Sequence, residues 1–370
     1  MLSALRVLDL SRVLAGPLCT MILGDMGADV MKVERASTGD ETRGWGPPFD
    51  ERGESAYFLS VNRNKLSVTA DLDDPADLAL IRSLAGEADV VVENFLPGVL
   101  ERRGWGAELA RAEHPALVWC TITGFGAGST RPGYDFVIQA ESGWMSITGE
   151  LEGDPMKHGI ALADVLAGKD ASIALLAALV ARARSGTGRH IHISLAASAE
   201  GALLNVAQNT LVSGQPPVRW GNAHANLVPY QLFRALDRPM IIAVGNDGQW
   251  RGCASALGLS ELEHDAELAT NAGRLAQRTR VVSSIAARVA TESAAHWMAR
   301  LEAVSVPCGI VRTVPEVLAE LPASSRTGLP PSVPATVRLP PPRLGEHSEL
   351  IRAAGWSAFA SARRPVGEKE

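Results

Sequence analysis

Short apolar runs alternate with helical segments along the first third of the chain, and this alternation limits the possible fold more than any single residue does. Leu5 to Leu10 is an apolar run with β-branched character. Pro17 to Gly27 reads as a helix with Pro near its start and Gly at its end, and Ala28 to Glu34 returns as a strand. The pattern repeats as a strand Leu66 to Ala70, a helix Pro75 to Ala88, a strand Asp89 to Glu93, a helix near Pro97 to Arg103 and a strand Leu117 to Thr123. Repeated β-α-β units imply an α/β fold with a parallel sheet covered by helices on both faces. A further strand, Arg189 to Ser194, is followed by an Ala-rich helix from about Ser198 to Leu211.

Length and composition bound what surrounds that sheet. The 370 residues suffice for two domains, and 46% hydrophobic content fills a substantial core. Ser213 to Val218 reads as a linker, and a second unit begins near Asn222 with a strand Met240 to Val244 and several helices between Gln249 and Leu301. Pro322 to Pro342 reads as extended chain. A net charge of -6 argues against a general nucleic-acid partner, which requires a strongly basic face. No apolar stretch runs the roughly 20 residues that a membrane span needs.

Cys19, Cys120, Cys253 and Cys308 are far apart and the start of the chain does not resemble a secretory signal, so reduced thiols and a cytoplasmic location are expected. His190 and His192 alternate onto one face of a strand. Without a third ligand at a telling spacing they suggest a surface or interface pair, and no metal site is expected.

Asp164 is the strongest candidate for chemistry. It lies among Ala161, Ala163, Ala167 and Gly168, which leave room for a bulky substrate, and the almost uncharged run to Val180 limits water. The plainer reading makes Asp164 the cap of a helix ending near Arg184, because Asp is among the best N-cap residues. A dinucleotide site fails on detail: its tight turn needs three glycines, whereas Leu10 to Pro17 has one. The strand ends are nonetheless basic and polar, with Lys32, Arg35 and Arg43, then Arg63 and Lys65, then Asn94, Phe95 and Arg102. Ligands of open parallel sheets sit in the crevice at such ends, where cations and helix N-termini hold phosphate. The long Gly/Pro-rich segment Ser37 to Ser55 is a candidate binding loop.

Several blocks then carry a resemblance. They are Val7 to Cys19 (VLDLSRVLAGPLC), Leu23 to Glu34 (LGDMGADVMKVE), Asn62 to Lys65 (NRNK), Val92 to Val99 (VENFLPGV) and Thr123 to Gly126 (TGFG). Pro132 to Ala140 (PGYDFVIQA), Ala163 to Gly168 (ADVLAG), Gly245 to Trp250 (GNDGQW) and Pro307 to Gly309 (PCG) continue the series. In this order the chain resembles the type III CoA-transferases, also called the CaiB/BaiF family. The resemblance implies a Rossmann-like large domain over residues 1–212, a linker at 213–224, a smaller α/β domain at 225–320 and a return segment at 321–370. It also implies a ring-shaped protomer interlocked with a second copy as a homodimer.

For function, the resemblance implies an acyl-CoA thioester and a small carboxylic acid as substrates, with coenzyme A part of the substrate and no tightly bound cofactor. Asp164 matches the nucleophile. Val13, Arg35, Asn94, Phe95 and Arg102 match positions that touch the nucleotide of CoA, Tyr134 lies in the same binding region, and Gly245, Asn246, Asp247, Gly248 and Gln249 match a loop that shields the acyl intermediate. A strand-to-helix turn capped by Asp247 describes that loop equally well. An ionised Asp attacks a thioester without a general base, giving a mixed anhydride and then an aspartyl-CoA thioester. Alternative readings are a 2-methylacyl-CoA epimerase and a catalytically silent CoA-binding protein. Epimerising members carry Gly-His-Asp where this chain has Gly133, Tyr134 and Asp135, and a Tyr is a poor second base near neutral pH. Leu14, often Gln in formyl-CoA transferases, and a glycine run broken by Asn246 and Asp247 make an oxalate and formyl-CoA pair a weaker match. Arg12, Arg43 and His158 are the residues that would meet a second carboxylate if the acids are dicarboxylic.

Overall fold

The structure, a computed structural model, describes residues 1–362. Two compact units are present, one made of Met1–Trp144, Lys157–Gln215 and the chain from Leu321 onward, the other of Met145–Met156 and Pro216–Glu320. Residues 145–156, expected in the large domain, thus group with the second unit.

The first unit is built on strands β1 (Arg6–Asp9), β2 (Asp29–Glu34), β3 (Lys65–Thr69), β4 (Val90–Glu93), β5 (Val118–Thr123) and β6 (His190–Ser194). All are parallel, in the order β3-β2-β1-β4-β5-β6. Chain direction across the sheet reverses between β1 and β4, and ligands of such sheets bind in the crevice outside that switch point. Helices α1 (Ala15–Asp25), α2 (Pro75–Gly86), α3 (Ala107–Glu113), α4 (Asp135–Glu141) and α5 (Leu162–Ser185) cover the faces.

Strand alternation sorts side chains into two cores. Val7, Val30, Val90, Val92, Cys120 and Ile122 pack with α1 and α5, while Leu8, Met31, Val91 and Trp119 face α2 and α3. Ile351, Trp356 and Phe359 of the return segment join the second core, so that segment closes one face of the sheet. On the other face α1 and α5 touch at Gly168, where a Cβ would stand 2.7 Å from the Ala15 carbonyl oxygen. Glycine there allows the start of α1 to lie against the first turns of α5.

Three sequence expectations change. Pro97 to Arg103 holds only a single 3-10 turn at Glu101–Arg103, because Gly104 turns the chain at φ +70° and the helix begins afterwards at Ala107. The expected helix Ser198 to Leu211 is two helices, Leu195–Gly201 and Leu204–Ser213. In the second unit two strands went unread, β7 (Tyr230–Arg234) and β9 (Cys308–Ile310), which flank β8 (Pro239–Ala243) in an antiparallel sheet. Their brevity leaves little period for a sequence pattern to show. Helices α6 (Asp247–Ala256), α7 (Arg278–Val289) and α8 (Ala294–Glu302) cover this sheet around Trp250, Ile285, Trp297 and Leu301. All four cysteines are free, and no helix of the described residues is long and apolar enough to cross a membrane.

Candidate active site

The crevice begins where β1 turns into α1. Asp9, fully buried at the end of β1, accepts hydrogen bonds from Thr20 Oγ1 at 2.6 Å and Lys65 Nζ at 2.9 Å. Burial alone would raise its carboxyl, but Lys65 and Lys32 outweigh that and hold it at about 2. Lys32 donates to the Ser11 carbonyl at 2.8 Å and to Asp40 at 2.9 Å. These pairs fix the turn from below. Val13 adopts φ +70°, a costly backbone for a β-branched residue, and its N–H donates to Asp40 at 3.2 Å. Across the switch point Asn94 exchanges two hydrogen bonds with the backbone of Arg12, at 3.0 and 2.8 Å.

The sheet also fixes the other wall. Gly124, just after β5, meets Gly133 backbone to backbone: a Cβ on either would lie about 2.5 Å from the other's Cα. That contact delivers Tyr134 and Asp135 to the start of α5. Asp135 then does what the plainer reading gave to Asp164, accepting the Ala163 N–H at 2.8 Å and the Asp164 N–H at 3.4 Å. Gln139 Nε2 holds Asp135 at 2.6 Å, and Gln139 in turn accepts the His158 N–H at 2.9 Å. The helix N-terminus is therefore capped from outside, and the capping role assigned to Asp164 is overturned.

Freed from capping, the Asp164 side chain sits in the first turn of α5 with its residue 8% exposed. Burial, then the nearby Asp135 carboxylate, push it up to about 7, against the backbone N–H of Ala15, which favours the ionised form. Two small cavities share Asp164, Val13 and Tyr134. One, of about 180 Å³, also takes in Arg12, Asn94 and Phe95. The other, of about 200 Å³, runs past Trp45, Tyr57, Ile160 and Lys157. A larger cavity of about 620 Å³ adjoins the first through Arg12, Phe95 and Leu96 and extends to Arg35, Asp71 and Arg103.

The structure thus gathers Val13, Asn94, Phe95, Tyr134 and Asp164 around connected space, with Arg35 exposed on the large cavity. Arg102 is exposed but lines none of the three cavities; its neighbour Arg103 does, paired with Asp73 at 2.8 Å. The remaining strand-end cations are not free for phosphate. Lys32 is spent on Asp40, Arg43 on Glu34 and Glu54, Arg63 on Asp25 and Lys65 on Asp9, all buried. Arg63 and Lys65 also stand at the amino end of β3, not its carboxyl end. Trp45, Tyr57, Lys157 and the role of Asp135 were missed, although Trp45 lies in the Gly/Pro-rich loop and Asp135 in the Gly133 to Asp135 motif.

Gly245 to Gln249 belong to the second unit. Asn246, not Asp247, caps α6 by accepting the Gln249 N–H at 2.9 Å, and the Gly245 N–H donates back to Gln249 Oε1 at 2.8 Å. Asp247 pairs instead with the buried Arg274 at 2.9 Å.

A family model described as CoA-transferase family III matches residues 2–329. The chain belongs to that family. This CoA-transferase is 40% identical to the succinate–glutarate CoA-transferase of Agrobacterium fabrum over 95% of each chain. It is 40% identical to the succinyl-CoA:glutarate CoA-transferase of Mus musculus over 95% of its own length and 85% of the relative's. Among solved structures, a CaiB/BaiF family protein from Brucella suis superposes with a TM-score of 0.85 at 40% identity, covering 95% of this chain and 98% of that one. The six-stranded parallel sheet of the CoA-transferase is thus matched by an experimentally determined relative.

Proposed function

We propose that this protein moves CoA from an acyl-CoA thioester to a short carboxylic acid, with Asp164 as the nucleophile. One observation carries the reading: the buried Asp164 carboxylate, which does not cap its own helix, stands on the wall shared by two cavities. A carboxylate oxygen of Asp164 attacks the thioester carbonyl, the C–S bond breaks, and CoA leaves as thiolate. The thiolate attacks the aspartyl carbonyl of the resulting anhydride, releasing the donor acid and leaving an aspartyl-CoA thioester. An incoming acid reverses both steps. No proton is gained or lost overall, so no general base is required.

The cavity with Arg12, Asn94 and Phe95 suits the CoA side, continuing into the larger space beside Arg35; the cavity with Trp45 and Tyr57 suits the acyl chain and the acceptor. Both enzyme-bound species are prone to hydrolysis, and the low exposure of Asp164 supports their survival. The names of the relatives favour succinate and glutarate as the class of acid. The shielding role that the resemblance gives Gly245 to Gln249, the CoA contact of Arg102 and a cytoplasmic interlocked homodimer belong to the same reading.

Mixing the protein with succinyl-CoA and glutarate and following glutaryl-CoA by liquid chromatography and mass spectrometry tests it. Glutaryl-CoA is expected only when glutarate is present. Solvent deuterium entering C2 of a 2-methylacyl-CoA without any acceptor would indicate epimerisation instead, and no turnover in either assay would indicate a silent binding protein.

A further inference from the structure

The pocket beside Trp45 and Tyr57 is apolar on most sides, yet one cation opens onto it. Lys157 lines the same cavity as Asp164, Gly159 and Ile160, is exposed, and makes a single hydrogen bond, from Nζ to the His158 carbonyl oxygen at 3.1 Å. That leaves two N–H donors with no carboxylate partner among the described residues. The three side chains that the sequence suggested for a second carboxylate are otherwise engaged. Arg12 is tied to Glu41, and Arg43 is buried between Glu34 and Glu54. His158 stacks edge-on against Trp144 at 5.5 Å. Arg131, on the other cavity, is paired with Glu141 at 2.6 Å.

A dicarboxylic acid in this pocket carries a second negative charge into a space that already holds Asp164 and Asp135. Two like charges beside the pocket repel it unless a cation compensates. We infer that Lys157 receives the distal carboxylate of a short aliphatic dicarboxylic acid, while Asp164 reacts at the near end. This rests on the CoA-transfer reading and adds to it the residue that separates dicarboxylic from monocarboxylic acids. The aromatic and aliphatic walls contact the methylene chain and are indifferent to the far end. Lys157 is a specificity residue, distinct from the group that forms the covalent bond.

The test compares glutarate with pentanoate, acids of equal chain length, as acceptors at saturating succinyl-CoA. The quantity read is the ratio of their kcat/KM values in wild type, Lys157→Met, Lys157→Arg and Lys157→Glu. Lys157→Met is expected to lower the glutarate-to-pentanoate ratio about tenfold, the scale of one charge-assisted contact at a partly solvated site. Lys157→Arg restores most of it, and Lys157→Glu lowers it further. Because the ratio is taken within one protein, a general loss of folded enzyme cancels. An unchanged ratio in Lys157→Met overturns the Lys157 assignment alone; failure of the wild type to transfer CoA to either acid overturns the transferase reading as well.

Discussion

Asp164→Ala is expected to lower kcat for CoA transfer by about four orders of magnitude or more, the scale seen when a covalent nucleophile is removed. No neighbouring group can replace it. Asp135 is committed to two backbone amides and Gln139, and the Ala15 N–H is a donor. Asp164→Asn keeps the shape and separates chemistry from folding. It is expected to be equally inactive but more stable than wild type at pH 8, as followed by thermal unfolding. Ionising a carboxyl held at about 7 rather than 3.8 costs the fold on the order of 4 kcal/mol as an upper bound. The raised value means that the folded state holds its proton more tightly than the unfolded chain, so stability falls as pH rises from about 4 through 7. The advantage of Asn should therefore disappear below pH 4. An active Asp164→Ala enzyme would remove the nucleophile from the proposal.

The second large effect is on pH dependence. With Asp164 at about 7, kcat/KM for the acyl-CoA donor should fall about tenfold for each pH unit below that value and level off above it. An unperturbed Asp would leave the profile flat to near pH 4. Burial is the main cause of the shift and Asp135 the next, so Asp135→Asn, which keeps the oxygen that accepts the two α5 amides, should move the limb toward acid. A limb that stays in place would show that the Asp135 charge does not reach the nucleophile. Steady-state rates across pH 5 to 9 for both proteins make the comparison.

Much of the scaffold could be read without coordinates because β-α-β alternation is a local pattern. Val90, Val91 and Val92 mark a strand buried on both faces. The small residues around Asp164 and its motif likewise pointed to space beside it, and it does line two cavities. What failed depended on contacts between segments distant in sequence. Lys32 and Lys65 look like ligands for phosphate until Asp40 and Asp9 are seen beside them, the latter 56 residues from Lys65. The cap of α5 comes from Asp135, 28 residues before the amide that it binds, so the local rule pointed to the wrong carboxylate. Lys157 carried no signal in the sequence, and only the pocket wall that it shares with Asp164 sets it apart.

Covalent participation of Asp164 leaves a stable trace in its oxygens. When acceptor acid labelled with oxygen-18 in its carboxylate is turned over, attack on the aspartyl-CoA thioester and collapse of the anhydride leave one labelled oxygen on the enzyme in each cycle, and many cycles replace both carboxylate oxygens. Peptide mass spectrometry should find oxygen-18 in the side chain of Asp164 and nowhere else. Efficient CoA transfer with Asp164 unlabelled, or with the label on another residue, would contradict the mechanism.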